Sequence, residues 1–170
     1  MSSSASEPLV AEGRAEFLTF FVRGEEYAVA LRRVREVIPC DVITRVPQMP
    51  PALRGVTNLR GQVVPVVDLA MKFHGVETAI DKRTCIVLIE ATIDGASAAI
   101  GVMTEEIGQV LALDGDDVLP PPSFGAPIRA EFLDGMGRVG RKFALVLRID
   151  RLLAGAELLS RDLAEPGGGA

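Results

Sequence analysis

Tryptophan is absent from this chain, and tyrosine and histidine occur once each. With so few aromatics the core must be built from Val, Ile, Leu and Ala, which favours strands with β-branched packing. The lone histidine, His74, follows Lys72-Phe73 and precedes Gly75, with no Ser or Cys nucleophile in local register. Any His-bearing triad or His-rich metal cluster would depend on that one residue, so a surface histidine is the expectation. The two cysteines, Cys40 and Cys85, lie far apart inside apolar runs. They read as buried free thiols, since a metal site needs more ligands. Positive charge is also short: 18 Lys and Arg stand against 23 Asp and Glu, giving a net charge of −5. That balance excludes nucleic acid as a sequence-independent partner, because displacing its counterions takes a basic surface. No apolar run is long enough to span a bilayer, and the longest are broken by Asp, Glu, Gly or Pro. The N-terminus, Met1-Ser-Ser-Ser-Ala-Ser-Glu7, has neither a basic nor an apolar segment of the signal-peptide kind. A cytoplasmic protein without direct membrane insertion is expected.

What the chain does have is 48% apolar content over 170 residues, enough for one sizeable core or two small ones. Residues 1–14 read as a disordered tail and 161–170 as a flexible one. Phe17 to Val22 and Glu26 to Ala30 form a hairpin around Gly24. Leu31, Val34 and Ile38 then recur at helical spacing, which predicts one or two helical turns closed by Pro39. Val42 to Val46 reads as a strand before a Pro47-x-x-Pro50-Pro51 loop. Arg54 to Leu69 contains two β-branched runs around Arg60-Gly61-Gln62, a tight hairpin whose Gly61 takes positive φ freely. Pro65 cannot donate to a ladder, so the second strand is placed at an edge or beside a bulge. A short helical piece from Ala70 to Phe73 follows.

The patternless linker from Val76 to Lys82 is taken as a junction, dividing subdomain 1 (15–79) from subdomain 2 (80–150). In the second half, Thr84 to Ala91 is an apolar strand expected to be buried on both faces, turned by Asp94-Gly95 onto Ser97 to Met103. Ile107 to Leu113 continues the sheet. Phe132 to Met136 and Phe143 to Ile149 make a closing hairpin, and Asp150 is the expected N-cap of a helix over 150–160. Roughly ten short strands in two sets of five suggest barrels or sandwiches, mainly β.

No convincing catalytic set emerges. Gly135-Met-Gly-Arg-Val-Gly140 matches G-x-G-x-x-G, but Phe143 to Leu147 after it is a strand, where a dinucleotide site needs a helix N-terminus. Asp114, Asp116 and Asp117 invite a calcium reading, yet the twelfth loop position is Gly125 instead of a bidentate Glu. No cofactor and no metal is expected. A small β-barrel enzyme or ligand-binding protein remains a poor alternative, to be favoured by an enclosed pocket with convergent polar groups.

Arg54-Gly-Val-Thr-Asn-Leu-Arg-Gly61 followed by Val64-Pro-Val-Val-Asp-Leu69 resembles the signature of the CheW family, adaptors that couple chemoreceptors to a histidine kinase. The resemblance runs from Glu16-Phe17-Leu18 through Val34-Arg-Glu-Val-Ile38, Ile43 to Pro47, Cys85 to Ile89 and Val118 to Phe124, to the closing strand and helix. It implies two five-stranded SH3-like barrels side by side. It implies a non-enzymatic role with three kinds of partner: the regulatory domain of the kinase CheA, the hairpin tip of a chemoreceptor, and other CheW-like domains. Such an adaptor is recruited to receptor arrays at the inner face of the membrane. Carried over residue by residue, the receptor-facing set is Val34, Glu36 and Val37 with Arg60 and Gly61. Phe124 and Leu119 form the kinase and array contact, although many members carry a basic residue at the position of Leu119. An adaptor for a non-flagellar chemosensory pathway is the alternative within the same class.

Overall fold

The computed structural model describes residues 14–121 and 130–154. Eleven strands form two sheets among them: β1 (Ala15–Val22), β2 (Glu25–Ala30), β3 (Val34–Pro39), β4 (Leu53–Leu59), β5 (Gln62–Asp68), β6 (Cys85–Ile93), β7 (Ala96–Thr104), β8 (Glu106–Leu113), β9 (Val118–Leu119), β10 (Leu133–Val139) and β11 (Lys142–Leu147). Two short helices, α1 (Leu69–His74) and α2 (Ile149–Leu153), each follow a hairpin. The sheet orders are β8-β1-β2-β11-β10-β9 and β3-β6-β7-β5-β4. The mainly β architecture in two small sheets is as the sequence predicts.

The division of the chain is not. The linker at 76–82 does not separate the two sheets, because β1 and β2 pair with strands from the far end of the chain while β3 to β7 form the other sheet. The cause is a pair of parallel contacts, β2 with β11 and β5 with β7, each needing a long crossover. Three other expectations also change. Val34 to Pro39 is a strand; only Leu31–Arg33 makes a helical, 3-10, turn. Val42 to Val46 is irregular apart from one bridge, Thr44 to Val56. At the C-terminal end Arg148, not Asp150, is the N-cap of α2, and the remainder of the expected helix lies outside the described residues. The Asp150 carboxylate instead takes Arg33 and accepts from Thr92 N at 2.9 Å.

An offset of 80 residues maps one hairpin onto another. Leu53 opposes Val67 and Leu133 opposes Leu147, and the correspondence holds pair by pair to the turn. Both hairpins shift register by a bulge, before Gly55 and before Gly135. At each glycine a neighbouring carbonyl fills the space a Cβ would need: Thr44 O at 2.3 Å from it for Gly55, Leu119 O at 2.7 Å for Gly135. Each hairpin is also clipped by an ion pair at matching positions with the charges exchanged. Arg54 meets Asp68 at 2.8 Å, and Arg148 meets Asp134 at 2.9 Å. Asp68 is fully buried and also accepts from Thr78 N, Thr78 Oγ1 and Ala70 N, which fastens the 76–82 segment and caps α1.

Each sheet encloses a small core of its own: Phe17, Ala28, Leu113, Ala144 and Val146 in the first, and Val64, Val66, Ile86, Leu88 and Met103 in the second. The largest core lies between the sheets. Phe20, Tyr27 and Leu145 from one meet Val67, Ile89 and Val102 from the other, with Leu152 and Leu153 of α2. β6 therefore buries both faces as expected, Ile86 and Leu88 inward and Val87 and Ile89 toward the partner sheet.

Candidate functional site

The turn joining β4 to β5 presents a guanidinium. Arg60 and Gly61 both take positive φ, 51° and 86°, the geometry of a tight hairpin. Asn58 Oδ1 accepts from Gly61 N at 2.9 Å and fixes the turn from below. Arg60 then crosses to β3, where Nη2 donates to Glu36 Oε1 at 2.5 Å and Nη1 to Oε2 at 3.4 Å. The Arg60 side chain remains 70% exposed and Glu36 34% exposed, so the pair is a surface feature. The hydrogen bond from Arg60, with its positive charge, holds the Glu36 carboxyl below the usual carboxylate range despite some desolvation.

β3 reaches this position from an anchored start. Arg33 Nε donates to Glu90 O at 2.9 Å, tying the 3-10 turn to β6. A bulge at Arg35 then shifts the register, so that Val34 opposes Ile89 while Glu36 opposes Leu88. Val34 and Val37 consequently share one side of the strand, and Glu36 and Ile38 share the other. Val34 is half-buried against the core between the sheets, whereas Val37 is exposed. Of the five residues expected to face a receptor, the fold thus brings Glu36, Arg60 and Gly61 into one cluster. Val34 and Val37 flank it from the opposite side of the same strand.

The kinase-facing expectation divides. Leu119 lies in β9, opposite Met136 and half-buried, on the other sheet from Arg60. Phe124 lies outside the described residues. His74 ends α1 as an exposed residue before Gly75, and Phe143 to Leu147 is a strand, as expected. Asp114 and Asp117 cap their own 3-10 turn, each accepting from the other's end of it. Cys40, just past β3, and Cys85, at the start of β6, are free and half-buried, and desolvation pushes both thiols up.

Sequence reasoning missed the surroundings of the pair. A pocket of about 120 Å³ beside it is lined by Leu59, Val64, Leu88 and Ala99 with Arg35 and Gln62. It opens onto a larger groove of about 590 Å³, also lined by Arg35, Gln62 and Ala99, that continues along β5 and β7. Val63 stands 67% exposed there, unusual for a strand valine. Its alternation with buried Val64 was the available signal. The arrangement offers an ion pair, apolar walls and hydrogen-bonding strand edges, the parts of a protein-docking surface.

A family model described as CheW-like domain matches residues 16–157. The chain is 31% identical over 143 residues to the chemotaxis protein CheW of Klebsiella aerogenes, covering 84% of each. It is 32% identical over 130 residues to protein FrzA of Myxococcus xanthus, covering 75% of this chain and 78% of that one. Its fold is similar to that of the scaffolding protein TtCheW from Thermoanaerobacter tengcongensis, with a TM-score of 0.73 and 24% identity over 90% of this chain and 94% of the other.

Proposed function

This chain belongs to the CheW-like domain family, and from that premise we propose that it is a non-catalytic adaptor coupling chemoreceptors to the histidine kinase CheA in chemotaxis. The observation that carries the reading is the Glu36–Arg60 pair, held at a tight turn yet left exposed beside a pocket with Leu59, Val64, Leu88 and Ala99 in its lining. An exposed ion pair adds little to folding, and a planar fork of donors suits recognition better than packing. The reading puts receptor docking at Glu36, Arg60 and Gly61, which the exposed cluster they form supports; Val34 and Val37, on the other side of β3, would meet the receptor only around that strand. Leu119 and Phe124 serve a second contact, with the kinase regulatory domain or another CheW-like domain, because Leu119 stands on the other sheet. Two separate surfaces let one small protein bridge two partners. Among the described residues no helix is long and apolar enough to cross a membrane, so its place beside the receptors comes from those partners.

Reconstituted kinase assays test the reading. Arg60→Ala is expected to melt like the parent yet lose most receptor-dependent activation of the kinase. Full activation by the folded variant would remove Arg60 from the site. A pull-down with the kinase's regulatory domain tests the second contact independently. A narrower second reading places the adaptor in a non-flagellar chemosensory pathway, for which the likeness to FrzA is the relevant observation. The genes beside its own would separate the two.

A further inference from the structure

The groove beside Arg60 exists because a ladder stops early. On one sheet the parallel pair β2–β11 includes Leu145 opposite Tyr27. Shifting by 80 residues, the equivalent of Leu145 on the other sheet is Pro65, and there the pairing of β5 with β7 begins only at Val66 opposite Gly101. Proline has no N–H to give, which accounts for the one missing pair; ahead of it the strands are unpaired in both sheets, Lys142 to Ala144 as well as Gln62 to Val64. The edge of β7 that faces β5 is therefore left without a ladder partner from Ala96 to Ile100, while its other edge pairs with β6 along its whole length. Between these strands lies the groove of about 590 Å³, with Val63, Ile93 and Ile100 as apolar lining.

We propose that this groove is a strand-addition site, taking an extended segment of a partner protein that pairs with the free edge of β7 and places a carboxylate on Arg35. The bulge that re-registers β3 sets Arg35 at the rim, exposed and without an ion pair among the described residues. The groove lining is mixed, with Gln62, Ser97 and the Asp94 carboxylate among the apolar residues; Arg35 is the one cation in it, and a guanidinium without an ion pair favours a carboxylate at its end of the groove. Ala96, Ala98 and Ala99 carry little bulk, so an incoming backbone can approach to ladder distance. The groove shares Arg35, Gln62 and Ala99 with the pocket around the Glu36–Arg60 pair, so a partner docked at Arg60 has this edge within reach. The inference deepens the adaptor reading and rests on it for what supplies the segment.

The test needs neither receptor nor kinase, so its failure is distinct from failure of the adaptor reading. The full chain, isotope-labelled, is titrated with the blocked peptide acetyl-Glu-Val-Thr-Val-Thr-Val-amide and followed by amide NMR. Saturable shifts confined to Ala96–Ile100 and the β5 strand facing it are expected, with slowed exchange of those amides. Arg35→Glu should weaken binding by about tenfold or more. A peptide N-methylated along one edge keeps every side chain but cannot form the ladder, and it should not bind. Absence of saturable shifts at millimolar peptide, shifts located elsewhere, or equal binding of the N-methylated peptide would each overturn the proposal.

Discussion

At the scale of single residues, two ion pairs of the same chemistry do opposite work. Glu36 and Arg60 are exposed, and their effect on folding shows mainly as a titration. The Glu36 carboxyl is held below its ordinary value, so its small stabilising contribution is present above that value and fades as pH falls through the folded one. A carbon-detected titration should find Glu36 below the usual carboxylate range, and Arg60→Ala should return it there; an unmoved titration would mean another cause. Arg54 and Asp68 are enclosed, with 11% and 0% of their side chains exposed. Asp68→Ala strands a guanidinium and removes the acceptor of Thr78, and should cost about 3–5 kcal/mol in urea denaturation. Replacing both partners with apolar residues should recover much of it, whereas an additive double variant would show that the pair itself is not coupled. The sequence placed Arg60 on its turn but gave no hint of this buried clip. Its two members are 14 apart and only a bulged hairpin brings them together.

At the scale of elements, hairpins were legible and the edges between them were not. Asp94-Gly95 and Arg60-Gly61 mark their turns by local conformational preference, and both are found where expected, with positive φ at all four residues. β3 was misread for a definite reason. The helical spacing of Leu31, Val34 and Ile38 joins three separate surroundings: Leu31 belongs to the preceding 3-10 turn, Val34 faces the core between the sheets, and Ile38, turned over by the bulge, packs into the core inside its own sheet. The glycines at the two bulges are sensitive points. Gly55→Ala would drive a Cβ into the Thr44 carbonyl and should cost about 1–3 kcal/mol or more, with Gly135→Ala similar in sign. Gly24→Ala, at a turn with open space around it, should cost only about 1 kcal/mol. Thermal melts of the three variants check the order; equal losses would mean the carbonyls move aside freely.

At the scale of the whole molecule, the interleaving of the chain governs behaviour. The sequence indicated two small sheets, because short strands and frequent turns suit nothing larger. Which hairpin joins which sheet is decided by parallel contacts between distant segments, and no local pattern encodes that choice. The biggest core belongs to both sheets at once, so each sheet is expected to depend on the other for its stability. A fragment of residues 15–79 keeps the hairpins β1–β2 and β4–β5 but lacks β11 and β7, their parallel partners, and should show no cooperative melt. Phe20→Ala, which removes a fully buried ring from the joint core, should cost about 3–5 kcal/mol. It should lower the protection of amides in both sheets together, and loss confined to the first would mean the sheets unfold separately. The exchanged charges of the two hairpin clips have a kinetic consequence for a chain with near-superimposable parts. During folding, β4 that docked in error on β11 would set Arg54 beside Arg148, and β10 on β5 would set Asp134 beside Asp68. Like charges meet in both trapped arrangements and opposite charges only in the native one, so the polarity of each clip acts as a proofreading signal that tells one hairpin from its twin.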